Sequence, residues 1–180
     1  MTSQTVQKAL NPKRAVPIIL FTFVFSLIID NGFKFMTDSM GEALNLSLNE
    51  VSLQASLAGV IIGIGAVVYA ALADVVSIRK LLMVGITLTL VGSVIGYLGQ
   101  NVWGLVLAGR VVQTTGLAAA ETLYVIYVTK HLSEKDQKTY LGFSTSAFQG
   151  ATLFGALTSG YIATHISWTA MFLIPLILIL

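Results

Sequence analysis

The 180-residue sequence is 56% hydrophobic and only 10% charged, against about 25% charged residues in an ordinary soluble domain. Its apolar residues come in long runs, which excludes a water-soluble domain, and its lack of cysteine excludes disulfides and thiolate metal sites. The formal net charge of +2 points to no polyanionic partner, and the two separated histidines, His131 and His165, build no metal site, so neither metal nor cofactor is expected.

Residues 1–14 are polar and are expected to form a cytoplasmic N-terminal segment. No small-residue cleavage site follows, so the apolar stretch after them reads as a retained helix and not a removed signal. Six apolar segments are then predicted at 15–36, 51–73, 81–99, 102–128, 140–163 and 167–180, judged against the ~20 residues needed to span a bilayer. The fold class is all-α, with 15–180 forming a transmembrane six-helix bundle. Pro17 falls in the first turn of the first segment, where its missing N–H does no harm. The sixth segment has only 14 residues before Leu180 and is still apolar at Ile177-Leu178-Ile179-Leu180. The sequence is therefore expected to be cut inside its sixth helix.

The basic residues give the orientation. Lys8, Lys13 and Arg14 precede the first segment, Arg79 and Lys80 lie between the second and third, and Lys130, Lys135 and Lys138 lie between the fourth and fifth. The alternate loops carry Asp38, Glu42 and Glu50, then Gln100 and Asn101, then His165, with no lysine or arginine. Eight of the ten basic residues thus fall on one side, which places the N-terminus and the sequence's end in the cytoplasm and predicts a multi-pass protein of the cell membrane.

Small residues recur every fourth position where helices should touch. Ala147, Ala151, Gly155 and Ser159 form a stripe on the fifth segment, and Gly59 and Gly63 begin one on the second. Close backbone approach of this kind supplies packing inside a membrane.

The other two basic residues lie inside apolar segments. Asp30 and Lys34 sit on the first, Arg110 and Glu121 on the fourth. Each would cost about 2.5–3.5 kcal/mol at a helix centre, so they should face a cavity or one another. With the first helix running outward and the fourth inward, Asp30 and Arg110 both lie roughly 10–12 Å below the outer surface. They are at a depth where they can meet. Asp30 and Lys34 share a face at i, i+4, and Lys34 is near enough to the surface to snorkel. Arg110 and Glu121, about three turns apart, share a face with Thr114 and Leu117, with Gln113 at its edge.

Ala70-Ala71-Leu72-Ala73-Asp74-Val75-Val76-Ser77-Ile78-Arg79-Lys80 resembles the G-x-L-a-D-r-x-G-r-K signature of the major facilitator superfamily. Ala70 and Ser77 stand at the signature glycines and Val75 at the basic position after the aspartate. Asp74 beside Arg79, with Lys80, suits the family's cytoplasmic charge latch, which engages the other half of the transporter. Arg110-Val111-Val112-Gln113-Thr114-Thr115-Gly116-Leu117-Ala118-Ala119 resembles the family's fourth-helix motif R-x-x-Q-G-x-G-A-A, with Thr114 and Leu117 as replacements. In the family its arginine is associated with proton coupling. The stretch from the second to the sixth segment, including Gly92-Ser93-Val94-Ile95-Gly96 and His165-Ile166-Ser167-Trp168, is most similar to tetracycline and multidrug proton antiporters of the fourteen-helix type. Their fifth-helix motif ends G-P-x-x-G-G, where this sequence has Gly155-Ala156-Leu157-Thr158-Ser159-Gly160. Ala151, Gly155, Ser159 and Gly160 are the candidate residues of that motif. Lys34 stands near a usual asparagine and Glu121 at an expected proline, departures that fit a cationic or amphiphilic substrate met by extra acidic groups.

The resemblance implies the N-terminal six-helix half of a proton-coupled secondary transporter, with efflux of drugs or other small amphiphilic compounds as the leading function. Asp30, Lys34, Arg110, Gln113, Thr114 and Glu121 are the candidate coupling and cavity residues, with Asp30 or Glu121 alternating between proton and substrate. The expected partners are the lipid bilayer, a small-molecule substrate, protons or another monovalent cation, and a missing C-terminal half or second six-helix unit; these 180 residues alone are expected not to transport. A proton symporter or facilitator for a nutrient is the alternative, and a non-transporting membrane module or assembly partner is the alternative of another class. There is no Walker-type phosphate loop and no catalytic constellation, so no enzyme is expected, and the basic residues mark membrane orientation and not a nucleic-acid surface.

Overall fold

Two of the long helices, Leu48–Leu72 and Glu134–His165, start at serine caps that precede their apolar runs. The computed structural model describes residues 12–177; the greater part of the polar segment 1–14 and the final three residues of the sixth apolar segment lie outside the described residues. The helices are α1 (Pro12–Phe35), α2 (Thr37–Leu44), α3 (Leu48–Leu72), α4 (Ile78–Leu98), α5 (Trp103–His131) and α6 (Glu134–His165), followed by a 3₁₀ turn (Trp168–Phe172) and α7 (Ile174–Ile177). Ser47 and Glu50 form a reciprocal capping box that starts α3 at Leu48, three residues before the predicted start. Ser133, accepting from the Asp136 N–H, likewise starts α6 at Glu134, ahead of the predicted 140. In both cases the first turns are polar and invisible to a hydropathy reading.

Two further details of the expected elements differ. The loop predicted after the first segment contains α2, whose Met40 and Gly41 are buried and whose end is turned by Asn45 in the left-handed region at φ 53°. The continuous sixth helix is replaced, as far as it is described, by the 3₁₀ turn and α7. Pro175 lies inside that stretch, and Ser167 accepts from the Thr169 N–H to start the turn. Four helices among the described residues, α1, α3, α4 and α5, are long and apolar enough to cross a membrane. α6 has the length, at 32 residues, but its serines, threonines and glycines make it less apolar.

α5 is the central element. It packs on α1, α3, α4 and α6. Gly65 of α3 lies against Ala118, and Gly85 of α4 against Ala119 and the Gly116 carbonyl. The α4–α5 contact is backbone on backbone: a Cβ at Gly92 would strike Gln113 N and the Gly109 carbonyl, and one at Gly109 would strike Gly96. Only glycine permits that approach. α1 runs antiparallel to α5, with Phe23 stacked on Tyr124 at 4.7 Å and Asp30 reaching Arg110.

The small stripe on α6 is packed against α1. Ala151, Gly155 and Ser159 are buried, Gly155 sits over Asn31 and Gly32, and the Ser159 hydroxyl donates to the Gly155 carbonyl. Gly59 and Gly63, expected to begin a packing stripe on α3, face open space among the described residues, as does Gly160. The packed glycine of α3 is Gly65, on the face that α5 covers.

Candidate functional site

The centre of the bundle holds a charge in the middle of an apolar wall. Arg110 is 1% exposed, packed with Phe33 under its guanidinium at 4.1 Å. Phe33 in turn meets Phe172 of the 3₁₀ turn at 4.7 Å, and both belong to a buried cluster with Ile29, Met36, Val106 and Trp168. A guanidinium in such a place needs acceptors on every side.

Three helices supply them. Nη2 donates to Asp30 Oδ1 at 3.2 Å, Nη1 to Gln113 Oε1 at 2.6 Å, and Nε to Gln54 Oε1 at 3.3 Å. Each amide then passes the constraint on. Gln113 Nε2 donates to Ser93 Oγ at 2.9 Å, and Ser93 Oγ to the Thr89 carbonyl at 2.7 Å. Gln54 Nε2 donates to the Phe33 carbonyl at 3.1 Å and lies 3.3 Å from Thr37 Oγ1. Asp30, itself 3% exposed, also pairs through Oδ2 with Lys34 Nζ at 2.6 Å. One carboxylate is thus shared by two cations, and α1, α3, α4 and α5 are tied together at one level.

Asp30 and Arg110 meet at the depth they share, and Lys34 and Gln113 join them, Lys34 on Asp30 and Gln113 on Arg110. Thr114 is buried on the same face of α5, with no hydrogen-bond partner for its hydroxyl among the described residues. Glu121 is elsewhere. It lies beside Ser26, one of its carboxyl oxygens is buried without a hydrogen bond, and it makes no ion pair with Arg110. Gln54 and Ser93 were missed from the sequence: both are neutral polar side chains inside apolar segments, and a search for intramembrane charges passes over them.

The end of the helices opposite this network carries the second group of candidates, Asp74, Arg79 and Lys80. Asp74 pairs with Lys130 Nζ at 2.5 Å, so its partner is in the last turn of α5 and not the neighbouring Arg79. The geometry of the turn explains this: after α3 the backbone runs through Val75, Val76 and Ser77 before α4 restarts, while Lys130 approaches from the last turn of α5. Arg79 and Lys80 are exposed.

A family model described as the Major Facilitator Superfamily matches residues 19–180. The chain belongs to that superfamily. No solved structure matches it. Membership makes this an all-α, multi-pass membrane protein of a transporter family, in keeping with its four candidate spans.

Proposed function

We propose that this chain is the N-terminal half of a proton-coupled secondary transporter, an efflux antiporter for small amphiphilic compounds, and that Asp30 is its coupling carboxylate. The observation that carries the reading is the sharing of buried Asp30 between Lys34 and Arg110. A proton arriving at Asp30 removes the negative charge that both cations need. The tie from α1 to α5 then weakens, while Arg110 keeps Gln54 of α3 and Gln113 of its own helix. Arg110 therefore stays solvated by protein as α1 is released, and the protonation state of one residue is converted into the relation between two helices. Gln113, Ser93 and Gln54 act as positioning residues that hold the guanidinium in register.

The clustering of Arg79, Lys80, Lys130, Lys135 and Lys138 about the α3–α4 and α5–α6 turns supports a cytoplasmic location for that end. The Asp74–Lys130 pair there supports a charge latch, with Arg79 and Lys80 exposed for a second contact. Buried Ala151, Gly155 and Ser159 support a smooth α1–α6 contact able to rock.

The test is gradient-driven transport by the full-length protein in proteoliposomes. Asp30→Asn and Arg110→Ala are each expected to abolish coupling of substrate movement to the proton gradient. If both retained proton-coupled transport, the mechanism would fail. Substrate-induced proton movement in the direction opposite to substrate supports antiport; movement in the same direction would replace it with symport.

A further inference from the structure

The turn that joins α3 to α4 and the last turn of α5 leave a positive charge without a partner. Asp74 takes one contact from Lys130 Nζ, at 2.5 Å, and an ammonium has three donors to give. Arg79, exposed at the start of α4, makes no ion pair among the described residues. Two permanent cations against one carboxylate therefore leave one positive charge at this end of the helices.

Arg79, Lys130 and His131 line one open cavity of about 390 Å³. Its other walls are mainly apolar, with Val76 and Ile78 from the turn and the start of α4 and Tyr127 from α5, and no acidic side chain is among its described walls. The His131 ring is stacked on Tyr127 at 4.6 Å, with Nδ1 lying 3.3 Å from the Tyr127 carbonyl, which leaves Nε2 for a ligand. Val75, in the same turn, is 82% exposed, and an apolar side chain so placed is better housed at a lipid surface than in water. Tyrosine, too, is a residue of the membrane interface. The cavity thus joins a net positive charge to an apolar lining at the level where helices leave the bilayer.

We infer that this cavity is a binding site for the headgroup phosphate of an anionic phospholipid, with Arg79 and Lys130 holding the phosphodiester and Val76, Ile78 and Tyr127 meeting its glycerol backbone. Basic pockets between membrane helices suit such headgroups. A phosphodiester carries one negative charge, which matches the one positive charge left over. A zwitterionic lipid adds a cationic group, and the neighbouring carboxylate, Asp74, is already held by Lys130. A free phosphate offers nothing to the apolar walls. The inference rests on the reading that this end of the helices meets the cytoplasmic leaflet, and it names the lipid as the second contact of Arg79. Lys80, also exposed, is not among the described walls of the cavity.

The test is native mass spectrometry of the purified full-length protein in detergent, given equal amounts of phosphatidylglycerol and phosphatidylcholine with the same acyl chains. It reads lipid binding without a proton gradient, and so apart from coupling. The wild-type protein is expected to retain phosphatidylglycerol over phosphatidylcholine by about fivefold, the worth of one basic residue at an anionic surface. Arg79→Gln should abolish that preference, Arg79→Lys should keep most of it, and Lys80→Gln should leave it in place. Asp74→Asn should raise it, because Lys130 is then free for the phosphate; a fall in that variant would mean that the Asp74–Lys130 pair merely builds the turn, and would overturn the proposal. Equal retention of the two lipids by the wild-type protein would overturn it without any variant, as would an undiminished preference in Arg79→Gln. Displacement of phosphatidylglycerol by millimolar inorganic phosphate would overturn it in favour of a soluble phosphate. The leaflet is tested separately, by Lys135→Cys in a cysteine-free full-length protein: protection from an impermeant maleimide outside the cell is expected, and labelling from outside would overturn the topology, a failure distinct from a lost lipid preference.

Discussion

Arg110 and Glu121 share one face of α5, eleven residues apart, and they are treated in opposite ways. Around Arg110 the bundle places a carboxylate from α1, an amide from α3, an amide from α5 itself and an aromatic face, so that each nitrogen of the guanidinium has an acceptor. Around Glu121 it places aliphatic and aromatic side chains and leaves a carboxyl oxygen unbonded. Burying a charge is expensive in either place. At Arg110 the expense is offset inside the protein, which makes the group part of the architecture. At Glu121 no ion pair among the described residues offsets it. Two charges on one membrane-crossing helix are thus housed in different ways, and the number of their protein partners separates them.

Removing Arg110 should produce the largest effect. Arg110→Ala leaves Asp30 buried with the half-exposed Lys34 as its remaining ion-pair partner, and frees the Gln54 and Gln113 carbonyl oxygens that it held. Breaking a buried pair from one side typically costs about 3–5 kcal/mol. Thermal melting of the full-length protein in detergent should fall accordingly. Arg110→Lys should not restore it, because an ammonium cannot match a planar fork with acceptors on three sides. A melt indistinguishable from wild type would dissolve the contrast drawn above.

Next comes the surface that sets the network's register. Ser93, which holds Gln113, follows Gly92, whose Cα lies against the α5 backbone at Gln113 and Gly109. Gly92→Leu forces α4 and α5 apart, and overpacking of this kind costs about 1–3 kcal/mol. Gly59→Ala and Gly63→Ala meet open space and should stay within about 0.5 kcal/mol. Folded yield and melting of the three variants measure the difference. Glu121→Gln should resemble the second group and not the first, staying within about 0.5 kcal/mol, since it removes a charge with no ion pair to lose. If it were as damaging as Arg110→Ala, Glu121 would be a structural group and the two ends of α5 would be alike.

How much of this was legible beforehand depends on what kind of signal each residue gives. Asp30, Lys34 and Arg110 stood out because charge is rare in apolar runs, and depth arithmetic alone brought Asp30 to Arg110. Gln54 gave no such signal: an amide is cheap enough in an apolar helix to pass unnoticed, and its role comes from a contact across 56 residues of sequence. The stripe of Ala151, Gly155 and Ser159 was readable by its period. The identical reasoning misplaced Gly59 and Gly63, because small-residue spacing marks a face without saying whether a neighbour covers it. α2 escaped because eight residues give too few turns for a periodic pattern. The partner of Asp74 escaped because local spacing favours Arg79, whereas α5 and α3 end close together and deliver Lys130. Ser47 with Glu50 and Ser133 with Asp136 were in the sequence as capping signals and would have moved two helix starts to their observed places.

A second small effect sharpens the comparison furthest, because it compares two cations on one carboxylate. Lys34 is 42% exposed and Arg110 1% exposed, while both hold Asp30. A half-exposed pair is screened by water and salt and is typically worth about 0.2–1 kcal/mol. Lys34→Ala leaves Asp30 with Arg110, so its loss of stability should stay in that range. The deficit should also shrink at high salt, since screening weakens the wild-type Lys34 pair. The Arg110→Ala deficit should hardly change with salt, because that pair is shut away from solvent behind Phe33 and Phe172. Melting curves at low and high ionic strength for both variants measure this directly. Equal, salt-independent losses would mean that Asp30, Lys34 and Arg110 act as one inseparable triad; unequal losses with different salt dependence would identify Arg110 as the anchor and Lys34 as the partner that Asp30 can release first.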